Sequence, residues 1–188
     1  MTIALFGGSF NPPHVAHQLV ALYVLETVED VHELWFVPTY VHPFHKPLEK
    51  YEHRVAMCEL AAAPLGSRVR VSRAEEDLAL RPGFIASRTI DLIEMLAGEH
   101  PGETFRLVIG SDILAETDKW HRWDAVAAAA PPIVIARPGF AGGQGAVMPD
   151  ISATHVRELL ARRDEEAARL VPRAVMGYIA AHGLYDRA

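Results

Sequence analysis

GGSFNPPHVAH, residues 7–17, stands between a short apolar run at residues 3–6 and a helical pattern at residues 15–28. A strand that feeds a helix through a glycine-rich turn is the first half of a βαβ unit. Further β-rich runs lie at 34–37, 69–71, 107–109 and 133–135, with helical patterns at 53–62, 87–96 and 123–130 between them. This alternation predicts right-handed crossovers and a parallel sheet covered on both faces. PGFAGGQGA (residues 138–146) reads as a mobile loop. After it, Ser152 suits the N-cap of a helix over 154–163, and Pro172 suits the first turn of a last helix ending near Gly183. The chain shows no internal repeat and no linker. The fold class expected is α/β: a single doubly wound (Rossmann-like) parallel sheet with helices on both faces, one domain over residues 1–188.

Composition narrows the function. At 188 residues, 50% apolar and 22% charged, the chain suits one well-packed soluble domain. A formal charge of −6 argues against a broad nucleic-acid surface. No stretch is long and apolar enough to span a bilayer, and the first residues lack a basic flank. Cys58 is the single cysteine, lies in an apolar run and reads as a small buried hydrophobe, so no disulfide forms within the chain. The cytoplasm is the expected compartment. Oligomeric state is not legible.

In doubly wound sheets, ligands bind beyond the carboxyl ends of the strands, where strand order reverses. Residues 7–17 follow the first strand, and GSD (residues 110–112) follows the fourth; adjacency of those strands brings the two loops together. Gly7 and Gly8 permit close approach of backbone to a ligand. The helix starting near His14 offers unpaired N–H groups and the positive end of its dipole, a natural anion site. His14 and His17, three residues apart, share one face of the first turn. Two imidazoles beside glycine backbone suit a polyphosphate; a plain tight turn is the competing reading. Zinc is not expected, because no cysteine or acidic partner is suitably spaced, and no protein-only metal site is anticipated. A second stretch, ISATHVRE (residues 151–158), sets Ser152, Thr154 and Arg157 around another helix start. Hydroxyls, N–H groups and a planar guanidinium there can hold phosphate oxygens, though an ordinary capped helix reads equally well.

GGSFNPPHVAH resembles the G-x-F-x-P-x-H-x-G-H signature of the nucleotidylyltransferase superfamily, and ISATHVRE resembles its I-S-S-T-x-x-R signature. The bacterial nicotinate mononucleotide adenylyltransferases are resembled more closely. WFVP (residues 35–38), His45–Lys46, SRT (87–89), VIGSD (108–112), KWHRW (119–123), ARPGF (136–140) and HGLY (182–185) match over nearly the whole chain in the family's order. The resemblance implies that AMP passes from ATP to nicotinate mononucleotide, giving deamido-NAD and pyrophosphate. It further implies ATP contacts from Gly7, Gly8, Ser9, Phe10, His14, His17, Gly110, Asp112, Ile151, Ser152, Thr154 and Arg157. The acceptor would be met by Lys46, Thr89, Trp120, His121 and Arg137.

The implied roles are specific. His17 lies nearest the α-phosphate, with His14 beside it; Lys46 bridges the phosphates of both substrates; Arg157 with Thr154 holds the leaving pyrophosphate. Asp112 bonds ribose hydroxyls, caps a helix, or both. Trp120 stacks on the pyridine ring or packs half-buried in the core. Mg²⁺ is expected to ride on the substrate phosphates. Four positions depart from the family: Ala16 for glycine, Ala153 for the second serine, and Arg88 and His121 for tyrosines. The last two flank the acceptor site. The alternatives are nicotinamide mononucleotide or another phosphorylated acceptor, and a non-catalytic nucleotide-binding regulator. Retention of His14, His17 and Arg157 speaks against the regulator. His42, His53 and His100 read as loop or surface residues.

Overall fold

Five strands, β1 (Thr2–Gly8), β2 (Glu33–Pro38), β3 (Val69–Val71), β4 (Thr104–Gly110) and β5 (Pro132–Ile135), form one sheet in the order β3-β2-β1-β4-β5. Every neighbouring pair is parallel. The structure, a computed structural model, describes residues 1–41, 48–114, 116–143 and 145–186. The helices are α1 (Val15–Thr27), α2 (Tyr51–Ala62), α3 (Ala74–Ala79), α4 (Thr89–Glu99), α5 (Ser111–Leu114), α6 (Trp123–Ala129), α7 (Ala153–Ala161), α8 (Ala167–Leu170) and α9 (Arg173–His182).

Alternation along the strands builds two cores. Ile3, Leu5, Trp35, Val37, Leu107 and Ile109 point to one face, where α4 and α6 cover them with Ile90, Ile93, Leu96 and Val126. Ala4, Leu34, Phe36, Val108 and Ile133 point to the other, against Val20, Ala21 and Val24 of α1 and Cys58 of α2. Near-continuous apolar strands are what burial on both faces requires. Burial pushes the Cys58 thiol pKa up, as its apolar surroundings demand. A third cluster joins α7 to α9 and docks them on Ala16, Met57 and Ala61.

β1 pairs with both β2 and β4, with Gly7 opposite Val37 and Leu5 opposite Leu107. Strand order therefore reverses beside β1, as the sequence predicts, and the crevice opens at the carboxyl ends of β1 and β4.

Several elements differ from expectation. β1 runs on through Gly7 and Gly8, whose carbonyl oxygen accepts from the Thr39 N–H at 2.9 Å. α3, α5 and α8 are too short to leave a periodic signal. The described part of the glycine-rich segment is an exposed loop, as expected, but two of its glycines pass close to the rest of the chain. A β-carbon at Gly143 would lie 2.3 Å from Ala136 Cα, and one at Gly145 1.6 Å from Tyr23 Oη. His53 and His100 are half-buried, not free surface groups. His53 Nδ1 lies 2.9 Å from Tyr178 Oη where α2 meets α9, and the His100 ring packs edge-on to Trp35 at 5.3 Å. His42 lies outside the described residues.

Candidate active site

A cavity of about 690 Å³ opens at the crevice between the carboxyl ends of β1 and β4. Gly7, Gly8, Ser9, Phe10, His14 and His17 form one wall, continued by Ile151 and Ser152. Gly110, Asp112 and Arg137 form the centre. Ser87, Arg88, Thr89, Lys119, Trp120 and His121 close the far end.

The first wall is built from the turn outward. A β-carbon at Gly8 would lie 3.2 Å from the Phe10 ring, so glycine lets the chain fold back with Phe10 at φ 45°. Phe10 is 2% exposed, and its ring supports His17 (centroids 4.9 Å apart) and packs on Phe36 (5.3 Å). Its side chain is thus a floor, and only its backbone is available to a ligand. His14 is the N-cap of α1, and its N–H donates to His17 Nδ1 at 3.0 Å. The His17 N–H turns to the His14 carbonyl oxygen instead, at 2.9 Å, which leaves the buried His14 Nδ1 without a hydrogen-bond partner. The two rings lie 3.8 Å apart. Burial lowers the His14 pKa to about 4, helped by the Arg137 charge. Burial, then the neighbouring His14, holds His17 well below the usual histidine range. Both imidazoles are neutral at pH 7, and the occupied Nδ1 of His17 leaves the proton on Nε2.

Sequence reasoning missed what anchors this wall. Arg54, on α2, is 1% exposed; its Nε donates to the Glu49 carbonyl oxygen and its Nη1 to that of Ser9, each at 2.9 Å. Its guanidinium lies over the Tyr51 ring, 5.3 Å from the centroid. Asn11 is 2% exposed, and its Oδ1 accepts from the Glu49 N–H (3.1 Å) and the Tyr185 hydroxyl (2.8 Å). The only available signal was a charge on the otherwise apolar face of the helix in RVAMCELAA.

Gly110 keeps the centre open to two charged groups. A β-carbon there would fall 2.1 Å from Asp112 Oδ1 and 2.9 Å from Arg137 Cδ. Asp112 Oδ2 lies 3.7 Å from Arg137 Nε, while its buried Oδ1 has no hydrogen-bond partner. Ser111 Oγ accepts from the Arg137 N–H at 3.0 Å and fixes that backbone.

At the far end Arg88 is the N-cap residue of α4 and Thr89 begins it; both line the cavity, which brings the N-terminus of α4 to its wall. Trp120 stands edge-on to Trp123 at 5.5 Å and packs against the core while lining the cavity. Glu75, which the sequence did not single out, also lines this end; burial raises its carboxyl pKa.

Not every expected residue joins the cavity wall. Ser152 Oγ accepts from the His155 N–H (3.1 Å), capping α7. Arg157, one turn further, donates to the Asn11 carbonyl oxygen (2.8 Å) and Thr154 Oγ1 (3.2 Å). Neither Thr154 nor Arg157 lines the cavity; together they tie α7 to the first wall beside it. Lys46 lies outside the described residues. Among the described residues no group of three or more His, Cys, Asp or Glu could hold a metal ion.

A family model described as cytidylyltransferase-like matches residues 5–159. A protein of Anaeromyxobacter dehalogenans (strain 2CP-1) named "Probable nicotinate-nucleotide adenylyltransferase" is 48% identical over 97% of this chain and 96% of its own length. The chain belongs to the nicotinate-nucleotide adenylyltransferases of the cytidylyltransferase-like family. A Myxococcus xanthus relative of the same name is 39% identical over 97% of this chain and 94% of its own. Among solved structures, the nicotinic acid mononucleotide adenylyltransferase of Plasmodium falciparum complexed with NaAD superposes with a TM-score of 0.79. At 21% identity over 100% of this chain and 98% of that one, it shows that the nicotinate-nucleotide adenylyltransferase fold is shared. No helix among the described residues is long and apolar enough to cross a membrane.

Proposed function

We propose that this chain transfers AMP from ATP to nicotinate mononucleotide, giving deamido-NAD and pyrophosphate in NAD biosynthesis. The observation that carries the reading is the continuous cavity, with the paired histidines and glycine turn at one end and the α4 N-terminus and Trp120 at the other. A polyphosphate suits the first end and an acidic aromatic ring the second.

A phosphate oxygen of the mononucleotide attacks the α-phosphorus in line, and the bond from that phosphorus to the pyrophosphate bridging oxygen breaks, its electron pair leaving with pyrophosphate. No enzyme nucleophile is needed; alignment and charge stabilisation do the work. His17, neutral with its proton on Nε2, donates to an α-phosphate oxygen, and His14 contacts the phosphates beside it. Backbone of Gly7, Gly8, Ser9 and Phe10 frames the triphosphate. Asp112, through its unpartnered Oδ1, accepts from ATP ribose hydroxyls, while Gly110, Ile151 and Ser152 bound the nucleoside. Arg157 with Thr154, held beside the first wall, meets the departing pyrophosphate, and Lys46 completes the phosphate clamp. Thr89 and His121 lend N–H groups to the ring carboxylate, and Trp120 stacks on the ring. Arg137, between Asp112 and Asp150 (3.5 Å), neutralises charge where the substrates meet.

Mg²⁺ carried on the substrate phosphates supplies charge neutralisation during transfer. We further propose that the chain works as one nucleotidylyltransferase domain in the cytoplasm. The test is pyrophosphate release from purified protein with ATP, Mg²⁺ and each of nicotinate mononucleotide, nicotinamide mononucleotide and phosphopantetheine. Release with the first and none without Mg²⁺ supports the reading; no release with any acceptor overturns it.

A further inference from the structure

Arg54 is a cation buried to 1% exposure, and the described residues supply no carboxylate within ion-pair distance of it. Buried charges are ordinarily paired. Here the guanidinium is met by two carbonyl oxygens, of Ser9 and Glu49, and by the face of Tyr51. The two carbonyls lie forty residues apart in sequence, one in the turn after β1 and the other just before α2. The fork of the guanidinium spans them because its N–H groups diverge in one plane.

The consequence lies in the next peptide unit. In a trans peptide the C=O and the following N–H point in opposite directions. Holding the Ser9 carbonyl against Arg54 therefore aims the Phe10 N–H away from the interior, on the side where Ser9 and Phe10 line the cavity. Among the described residues that N–H has no hydrogen-bond partner. We propose that Arg54 is a positioning residue for the triphosphate: its fork on Ser9 and Glu49 aims the Phe10 N–H at an ATP phosphate oxygen. The proposal rests on the adenylyltransferase reading above. Asn11 braces the same turn through Glu49 and Tyr185, so the aim is fixed from two sides.

The test uses Arg54→Met, which fills the volume without charge, and Arg54→Lys, which keeps the charge without the fork. KM does not depend on the fraction of molecules folded, so a purely structural loss lowers the maximal rate and leaves both KM values alone. The expected result for both variants is a KM for ATP raised at least about tenfold, as small misplacements in active sites produce, with the KM for nicotinate mononucleotide within about twofold of wild type. An unchanged KM for ATP in both, or full restoration by lysine alone, overturns the proposal. A second measurement needs no variant: in the wild-type protein the exchange of the Phe10 amide should slow on adding ATP. Absence of that slowing also overturns it. Failure of wild-type protein to release pyrophosphate would instead remove the adenylyltransferase reading, whatever ATP does to the amide.

Discussion

The His14 N–H donates to His17 Nδ1 at 3.0 Å, so the helix cap and the tautomer of the second histidine are one hydrogen bond. A carboxylate at that third position would cap as well but would repel phosphate. A neutral imidazole caps with one nitrogen and donates with the other. Replacing it should therefore register twice. His17→Ala is expected to lower turnover by about two to three orders of magnitude, through loss of a preorganised contact. It should also cost about 1 kcal/mol of stability through the lost cap, a shift of about 2–4 °C in Tm for a chain of this size. Steady-state kinetics and thermal melting of the same preparation check both. Near-normal turnover would remove His17 from the reaction.

Stability should fall on mild acidification because His14 is buried neutral. Its folded pKa is about 4 against an ordinary 6.5. Between those values the unfolded chain holds the extra proton, so unfolding is favoured as pH drops, and above about 6.5 neither state carries it. The stability lost from His14 between pH 6.5 and 4 is about 3 kcal/mol, and His17 shifts in the same direction. Melts from pH 7.5 to 4.5 should show a steeper decline for wild type than for His14→Gln. ATP supplies negative charge to both rings and should oppose the decline, with proton uptake on binding near pH 5.5. Parallel pH profiles for the two proteins would contradict the buried neutral histidine.

Gly110 carries a separate prediction. Gly110→Ala places a methyl where Asp112 Oδ1 and Arg137 Cδ now stand, and both must move. Overpacking of this kind costs about 1–3 kcal/mol. Because Asp112 is the proposed ribose partner, the KM for ATP should rise about tenfold. Unchanged affinity for ATP would separate Asp112 from the nucleoside.

These residues also show where sequence reading runs out. The β1–α1 junction was legible because glycines, prolines and a His-x-x-His spacing are local, and strand alternation located the sheet and its crevice. Arg54, Asn11 and Tyr185 join through contacts 38 to 174 residues apart in sequence, and no local pattern marks such a network. The same limit applies to Arg157. Its motif was visible, but the first-turn geometry of α7 commits two of its N–H groups to Asn11 and Thr154 instead of the cavity wall. α3, with three acidic residues in its first turn, was invisible as a helix, and Glu75 was overlooked with it.

The choice between acid and amide acceptors turns on the far end of the cavity. Thr89 begins α4, and the backbone there presents donors alone. Nicotinate offers two carboxylate oxygens to such donors; nicotinamide offers one oxygen and an NH₂ group that faces a donor and stays unpaired. That mismatch costs about 1–3 kcal/mol. Arg88, half-buried in the same wall, adds attraction for the acid, while Glu75 opposes it when ionised, an opposition that its raised pKa reduces. Net preference for nicotinate mononucleotide is expected to be at least about tenfold in kcat/KM, since about 1.4 kcal/mol is one decade. Trp120→Ala should weaken both acceptors alike, because stacking on a pyridine ring hardly distinguishes acid from amide, and should leave the KM for ATP unaltered. Arg88→Ala should instead narrow the ratio. Both mononucleotides assayed side by side on wild type and the two variants decide it. Equal kcat/KM on wild type would end the acid-specific reading, and a Trp120→Ala enzyme with normal constants would assign that ring to packing against Trp123 alone.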